Sequence, residues 1–407
     1  MTEPGIEDLL RQCAPQVLAT LAHRHGQQFD LCEDAVQEAL LAALVQWPQE
    51  GIPQSPRAWL LTVASRWLID RWRSDHFRRE RETATAPSEA LPDVRPSHDD
   101  TLTLLFLCCH PALTPSAQIA LTLRAVGGLT TTEIAAAFLV PESVMAKRIT
   151  RAKRAIRLAG ARFEPPPPEQ RTERVRVVLH VLYLMFNEGY AATTGASLLR
   201  ADLTVEAIRL TRLLHAILPD HGEAAGLLAL MLLTEARRTA RTDPTGRLIP
   251  LEEQDRSLWD SAVVDEGLAL LHQTLGATTV GPYQIQAAIA ALHDQAATPD
   301  ETDWRQILAL YDVLQTIAPG PLVRLSQAVA MSHVHGPTAA LALIGTLDTD
   351  ARLAHNHRLD AVRAHLLEQT GDRAGAKAAY ERAARAATNR SEQHYLRLRA
   401  ANLSTVE

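Results

Sequence analysis

Apolar residues recur at three- and four-residue intervals along most of this chain, and no long run alternates apolar with polar positions. That periodicity predicts helices rather than strands. The stretch Ile6 to His25 reads as a first helix. Phe29 and Leu31 lead into a second, EDAVQEALLAALVQW, which Pro48 is expected to stop. Pro53 and Pro56 mark a turn, and Arg57 to about Phe77 reads as a third helix, with Ala58, Leu61, Leu68 and Ile69 suiting a core. Residues 82–100 carry Pro87, Pro92, Pro96, Ser88 and Ser97 among acidic groups, the composition of an exposed linker. Leu102 to Cys109 and Ser116 to Val126 follow as helices, the second closed by Gly127-Gly128.

The segment Gly128 to Arg157 has the pattern of a helix-turn-helix. Thr131 or Thr132 is expected to cap the first helix, and Ile134, Ala135, Ala137 and Phe138 give it an apolar side. Val140-Pro141 ends it, because the residue before a proline is pushed out of the helical region. Glu142 and Ser143 open the second helix. Val144, Met145, Ile149, Ala152 and Ile156 can pack inward, while Lys147, Arg148, Arg151, Lys153, Arg154 and Arg157 supply positive charge. A helix fits the DNA major groove, and the second helix of this motif is the one that enters it.

Beyond the proline run Pro165 to Pro168, helical segments follow one another to the end of the chain with short Gly and Pro breaks, Gly189 among them. Near the end, RLDAVRAHLLEQTGDRAGAKAAYERAARAA is a helix, a Gly-Asp turn and a second helix. Ala364, Gly375, Ala379 and Ala383 stand where paired helices approach closely. This resembles one tetratricopeptide repeat. Earlier repeats, around 204–235 and 304–345, are weaker. Stacked pairs of this kind bury a continuous core and leave an extended surface for a partner.

Composition narrows the function. The net charge of −6 means that any nucleic-acid contact comes from local patches. Four cysteines, two of them adjacent, make no disulfide framework. No basic-then-apolar leader and no apolar run of membrane-spanning length occurs, so a cytoplasmic protein without membrane contact is expected.

Two further helices carry candidate chemistry. RAWLLTVASRWLIDRWR interleaves Trp59, Trp67 and Trp72 with Arg66, Arg71 and Arg73. Arginine neutralises phosphate, and an aromatic ring can stack on a base freed from a duplex. Burial is the plainer reading for Trp59. The helix with Asp34, Gln37 and Glu38 is acidic on one side, with Ala35, Val36, Ala39 and Leu40 available for packing; such a patch suits a protein partner better than a phosphate backbone.

FDLCEDAVQEALLAAL, then PRAWLLTVASRWLIDRWR, an acidic proline-containing linker and a helix-turn-helix together resemble a bacterial RNA polymerase sigma factor of the extracytoplasmic-function group, over residues 8–160. LFLCCHPALTPSAQIALTLRAVGGLTTTEIAAAFLVPE and YLMFNEGYAA resemble a subgroup with a long helical C-terminal extension. The resemblance implies an all-α fold of two small sigma-type domains, the second a helix-turn-helix, followed by a helical extension like tetratricopeptide repeats. Its parts are 1–81 (polymerase and −10 element), 82–100 (linker), 101–162 (−35 element) and 163–407 (regulatory extension). It implies core RNA polymerase and promoter DNA, as duplex and as melted non-template strand, as partners. Asp34, Gln37 and Glu38 fall where the family docks on polymerase; Arg57, Arg66, Trp67, Arg71, Trp72 and Arg73 where it opens the −10 element; Glu142, Ser143, Lys147, Arg148, Arg151 and Arg154 where it meets the −35 element. Arg151 and Arg154 are alternatively phosphate contacts. Contact between the extension and the sigma domains is a further implication. No cofactor, metal or catalysis is implied.

Other clusters carry less. Adjacent cysteines are poor zinc spacing, so Cys108, Cys109 and His110 read as structural, as do the isolated Cys13 and Cys32. His23 with His25, and His355 with His357, are too sparse for a metal site, and Asn187, Glu188 and Tyr190 read as a structural network. A conventional helix-turn-helix regulator with a helical effector domain explains Gly128 to Arg157 but leaves the Trp/Arg helix and the acidic helix without a role. An enzyme or ligand sensor in the extension would need a pocket around Asn187 or Tyr190.

Overall fold

In the computed structural model the described residues are 6–25, 28–79, 98–138, 140–191, 199–276, 279–353 and 356–403. Among them the chain is helical, with one isolated bridge, Thr242 to Leu248, as its only extended pairing. Two compact units divide it, Met1–Leu184 and Met185–Glu407.

The first unit opens with α1 (Ile6–Arg24), α2 (Phe29–Glu50) and α3 (Pro56–Arg79), which pack on one another as a three-helix group. Pro48 does not stop α2. The proline lies in the last turn, where few backbone bonds remain to be lost, and the helix ends at Gly51, whose φ of 88° and N–H bond to the Trp47 carbonyl close it. Pro56 begins α3 at a position that needs no N–H donor. The buried stripe of α3 is Leu60, Ala64 and Leu68, spaced by four; Ala58 and Ile69, expected inside, are exposed.

The second group is α4 (His98–Cys108), α5 (Pro115–Ala125), α6 (Thr131–Ala137) and α7 (Glu142–Leu158). Thr101 through Cys109 is buried without a break. A helix apolar all round is one enclosed on several sides, and α4 packs on both α1 and α5. The cap of α6 is Thr130, not Thr131 or Thr132. Its hydroxyl accepts the Glu133 N–H at 3.1 Å, and the Glu133 carboxylate accepts the Thr130 N–H at 2.7 Å, a reciprocal capping box.

The helix α8 (Pro168–Tyr190) starts at the last residue of the proline run, and its first part belongs to the first unit, where Arg174 donates to the Phe106 carbonyl of α4. Gly189 is no break. It lies in the final turn of α8, where an added Cβ would sit 2.6 Å from the Thr204 nitrogen.

The second unit continues with α9 (Ala201–Ile217), α10 (Gly222–Glu235), α11 (Ser261–Thr274), α12 (Pro282–Gln295), α13 (Trp304–Ile317), α14 (Pro321–His335), α15 (Pro337–Gly345), α16 (His357–Gln369), α17 (Arg373–Ala386) and α18 (Arg390–Asn402). Asp260, Asp303 and Asp372 cap α11, α13 and α17 by accepting the N–H of Val263, Gln306 and Gly375. The core is a relay of small clusters. Leu233, Leu271 and Ala287 join α10, α11 and α12; Ile289, Ile307 and Ala330 join α12, α13 and α14; Leu325, Ile344 and Leu366 join α14, α15 and α16; Ala364, Ala379 and Leu396 join α16, α17 and α18. Each cluster shares one helix with the next, the nearest-neighbour arrangement of repeat proteins. In the last repeat Ala364, Ala379 and Ala383 are fully buried where α16 meets α17, whereas Gly375 sits over its capping carboxylate, with an added Cβ 2.3 Å from Asp372 Oδ2.

Candidate nucleic-acid interface

The buried side of α7 is Met145, Ile149, Ala152 and Ile156, which packs it on α5 and α6. Val144, expected to share that side, is 44% exposed. Directly opposite the buried stripe, at the spacing of one helical face, stand Ser143, Lys147, Arg151 and Arg154, all exposed. Glu142 is exposed at the first turn and Arg148 is half-buried on one flank. The segment therefore presents three cations along one outward strip, anchored by four apolar residues behind it.

The other flank of α7 is occupied. Lys153, read from sequence as a free surface charge, places Nζ 2.6 Å from Glu33 Oε2 and 2.6 Å from Asp34 Oδ1 of α2. Arg124 of α5 donates to the other oxygen of Glu33 at 2.7 Å, and Arg157 reaches Asp30 at 2.7 Å. The Glu33 side chain is only 1% exposed. Burial by itself pushes its carboxyl up, but Lys153 and Arg124 overcome that and hold it below the ordinary range. The same contact raises the Lys153 ammonium, against its own desolvation. Periodicity gave no sign of this site, since Glu33 reads as one more polar position beside Asp34, Gln37 and Glu38.

On α2, Ala35, Val36, Ala39 and Leu40 are buried as expected. The acidic patch is less uniform: Glu38 is exposed, Asp34 is half-exposed and paired with Lys153, and Gln37 is buried. Leu41, Leu44 and Val45 are exposed at 51%, 38% and 63%, an apolar stripe that continues from Glu38 at helical spacing. Sequence reasoning missed it because three more apolar residues in an apolar helix look like core.

On α3, Arg66 and Arg71 are exposed, and Arg57 and Trp67 are half-buried. Trp59 is also half-buried, edge-on to Trp47 with ring centroids 5.5 Å apart, which supports a packing role. The side chains of Trp72 and Arg73 lie outside the described residues, as do residues 82–97 of the linker and His355.

The discounted clusters have structural explanations. All four cysteines are buried free thiols. Burial pushes Cys32 and Cys109 up to about 12, which keeps both protonated. Tyr190 stacks on Phe186, and Arg241 covers its ring at 3.6 Å from the centroid. No group of His, Cys, Asp and Glu fit to hold a metal ion occurs among the described residues, and no helix there is long and apolar enough to cross a membrane.

Comparison with known proteins follows the same divisions. Residues 9–78 match the family model for Sigma-70 region 2, residues 103–156 that for Sigma-70 region 4, and residues 174–275 a family of unknown function. An uncharacterized protein of Rhizobium meliloti (strain 1021) is 44% identical over 418 aligned positions, covering 99% of this chain and 97% of its own length. No solved structure matches.

Proposed function

This chain belongs to the extracytoplasmic-function sigma factors of bacterial RNA polymerase, and we propose how its residues divide the work of choosing and opening a promoter. Ser143, Lys147, Arg148 and Arg151 read the −35 element from α7, with Glu142 at its entry and Arg154 on phosphate. Arg57, Arg66, Trp67 and Arg71 of α3, with Trp72 and Arg73, hold the −10 element as it melts. Asp34, Gln37 and Glu38 dock on polymerase, and the exposed Leu41, Leu44 and Val45 extend that docking surface. The observation that carries this reading is the outward strip Ser143, Lys147, Arg151 and Arg154, set opposite the buried side of a helix-turn-helix. It is a surface of the size and charge that a major groove accepts.

Each group of helices is a weak DNA binder alone, because phosphate contacts bring affinity that salt removes. Polymerase holds both at a fixed separation, so binding of one raises the effective concentration of the other. No covalent chemistry falls to the chain. The helices from α9 onward act as a built-in regulator of promoter engagement, which suits a segment of successive small cores with a long exposed surface.

Transcription with core polymerase on a promoter library tests the assignment. Arg148→Ala and Arg151→Ala should each lose about 1–3 kcal/mol of base discrimination, the worth of a bidentate base contact. Unchanged promoter choice and initiation would remove α7 as the reader. Deleting residues 191–407, which leaves α8 whole, should change promoter-specific output; equal output and equal polymerase affinity would end the regulatory role.

A further inference from the structure

Residues 236–260 join α10 to α11 and hold only short turns of helix. They are laid along one side of the second unit. Arg256 donates to the His293 carbonyl at 2.7 Å and to the Ala296 carbonyl, both at the end of α12. Glu252 Oε1 lies 3.3 Å from His333 Nε2 on α14. His365 on α16 adds to the pull on the same carboxylate. Glu253 Oε1 is 3.7 Å from Arg399 Nη1 on α18. These contacts fall on every second helix, and alternate helices of stacked pairs share one side of the stack. The segment therefore crosses four helices in turn.

The side it crosses suits carboxylates. His333 stacks on Trp304 with ring centroids 3.7 Å apart, and His293 meets the same ring edge-on at 5.2 Å. Arg399 donates to Glu368 at 2.7 Å and stands over the Tyr380 ring at 5.8 Å, which orients its guanidinium while Nη1 faces Glu253. Imidazoles and a guanidinium held against aromatic rings are pre-organised, so an anionic partner loses less entropy on binding them. The His333 contact holds the Glu252 carboxyl below the ordinary range.

The chain's own acidic pair occupies this seat loosely. Leu251–Glu253 contains no buried residue, and the Glu252 and Glu253 side chains are 47% and 60% exposed. Their ionic contacts are longer than the about 2.7–2.9 Å of a strong charge-assisted hydrogen bond, and exposed pairs of this kind add little stability. The turn spends backbone bonds on itself, the Glu253 N–H donating to the Pro250 carbonyl at 2.9 Å. Self-contained turns flank it. Asp243 accepts the N–H of Thr245 and of Arg247 at 2.9 Å each, and Asp255 accepts that of Ser257 at 3.0 Å. The firm holds lie outside the acidic pair, in Arg256 on α12 and in Arg241 over the Tyr190 ring. The piece between them can leave its seat while both turns keep their shape.

We propose that this side of the extension is a receptor for an extended acidic peptide of a partner protein, and that Glu252 and Glu253 are its internal occupant, displaced when adjacent carboxylates of the partner take His333 and Arg399. A tethered occupant competes at high effective concentration. Loose contacts therefore suffice to keep weak ligands out, while a peptide that adds backbone and apolar contacts wins the seat. This goes beyond the sigma-factor reading, which gives the extension no ligand.

The probe is a fluorescein-labelled peptide IPLEEQ, the sequence of residues 249–254, with IPLQQQ as control, and its anisotropy is read on the full chain. Vacating the seat with Glu252→Gln and Glu253→Gln together should raise affinity for IPLEEQ at least tenfold over the unaltered chain. Adding Arg399→Ala to that double variant should remove the gain, and the control peptide should bind at least tenfold more weakly throughout. Hydrogen exchange on the unaltered chain gives a second reading that needs no variant. Saturating IPLEEQ should speed exchange at Glu253 and Gln254 and slow it in α14 and α18. Equal affinity for the vacated and unaltered chains, equal binding of the control, or exchange unmoved at Glu253 and Gln254 would each overturn the proposal. A dimer of the unaltered chain that the peptide dissociates would give the seat to a second copy and overturn the partner assignment. Neither polymerase nor DNA enters these measurements, so their failure leaves the promoter assignments standing.

Discussion

Each unit of this protein buries a carboxylate beside cationic side chains, and the two behave oppositely. In the first, Glu33 accepts hydrogen bonds from Arg124 at 2.7 Å and Lys153 at 2.6 Å, and its carboxyl is held below the ordinary range despite complete burial. In the second, the Asp294 side chain has no exposed surface, its nearest ion-pair contact is Arg237 at 3.4 Å, and neither oxygen accepts a hydrogen bond. Burial lifts its carboxyl to about 6, with Arg237 and Arg256 pulling back only in part. A nearby cation is not enough. Short charge-assisted hydrogen bonds to both oxygens decide whether a buried acid stays ionised.

The cores differ in the same sense. In the first unit α4 is enclosed by its neighbours and the α2–α7 ion pairs tie its two groups of helices together, so a local change is felt throughout. In the second, four clusters share one helix from each to the next, and damage in one should remain nearby.

The largest expected effect is that of Glu33→Ala, which takes the carboxylate from the largely buried Arg124 and leaves Lys153 with Asp34 alone. It should cost the first unit about 3–5 kcal/mol, the range for breaking one partner of a buried pair. Hydrogen exchange resolved by peptide should show protection lost across α1 to α7 and kept from α9 onward. Equal loss in both units would show that they unfold as one.

Ile307→Ala follows, at about 2–5 kcal/mol for a fully buried aliphatic side chain. Exchange should rise in α12 to α14 and stay unchanged in α17 and α18; a uniform rise would refute the relay of independent cores. Gly226→Ala is smaller, about 1–3 kcal/mol for a crowded core, because its Cβ would lie 2.8 Å from the Gln284 nitrogen where α10 crosses α12. Thermal unfolding of the second unit should drop while the first holds.

The smallest effect is the pH response of the two buried carboxylates, which have opposite signs. The raised carboxyl of Asp294 stabilises the fold below its unfolded value near 3.8 and loses that contribution as pH climbs through about 6. Asp294 should therefore contribute about 1 kcal/mol more at pH 5 than at pH 7.5, while the neighbouring His293, lowered by burial to about 4, works in the opposite direction as pH falls; the difference between the unaltered chain and Asp294→Asn isolates the carboxyl. The depressed carboxyl of Glu33 works the other way. Its contribution is present above the ordinary value of 4.5 and is lost as pH falls through its lower folded value. Denaturant midpoints of Asp294→Asn against the unaltered chain between pH 7.5 and pH 5, and of Glu33→Gln below pH 4.5, would expose a shared sign.

Much of this was legible residue by residue. The spacing of Met145, Ile149, Ala152 and Ile156 marks the buried side of α7 and so leaves Ser143, Lys147, Arg151 and Arg154 outward. The cap was misplaced by one or two residues because three consecutive threonines offer equal chemistry, and only the backbone entering α6 selects Thr130. Pro48 misled because a proline near a helix end removes little, and nothing local says how much helix remains.

Periodicity determined the helices and the strip of cations, since each depends on neighbours three or four positions away on one helix. Tertiary structure alone decided that Lys153 turns from solvent to Glu33, that Gln37 is buried, that Gly189 marks a close approach instead of a break, and that Gly226 marks another. Each of these follows from what another helix, from about fifteen to more than a hundred residues away in the chain, presses against the site, and no helical repeat carries that information.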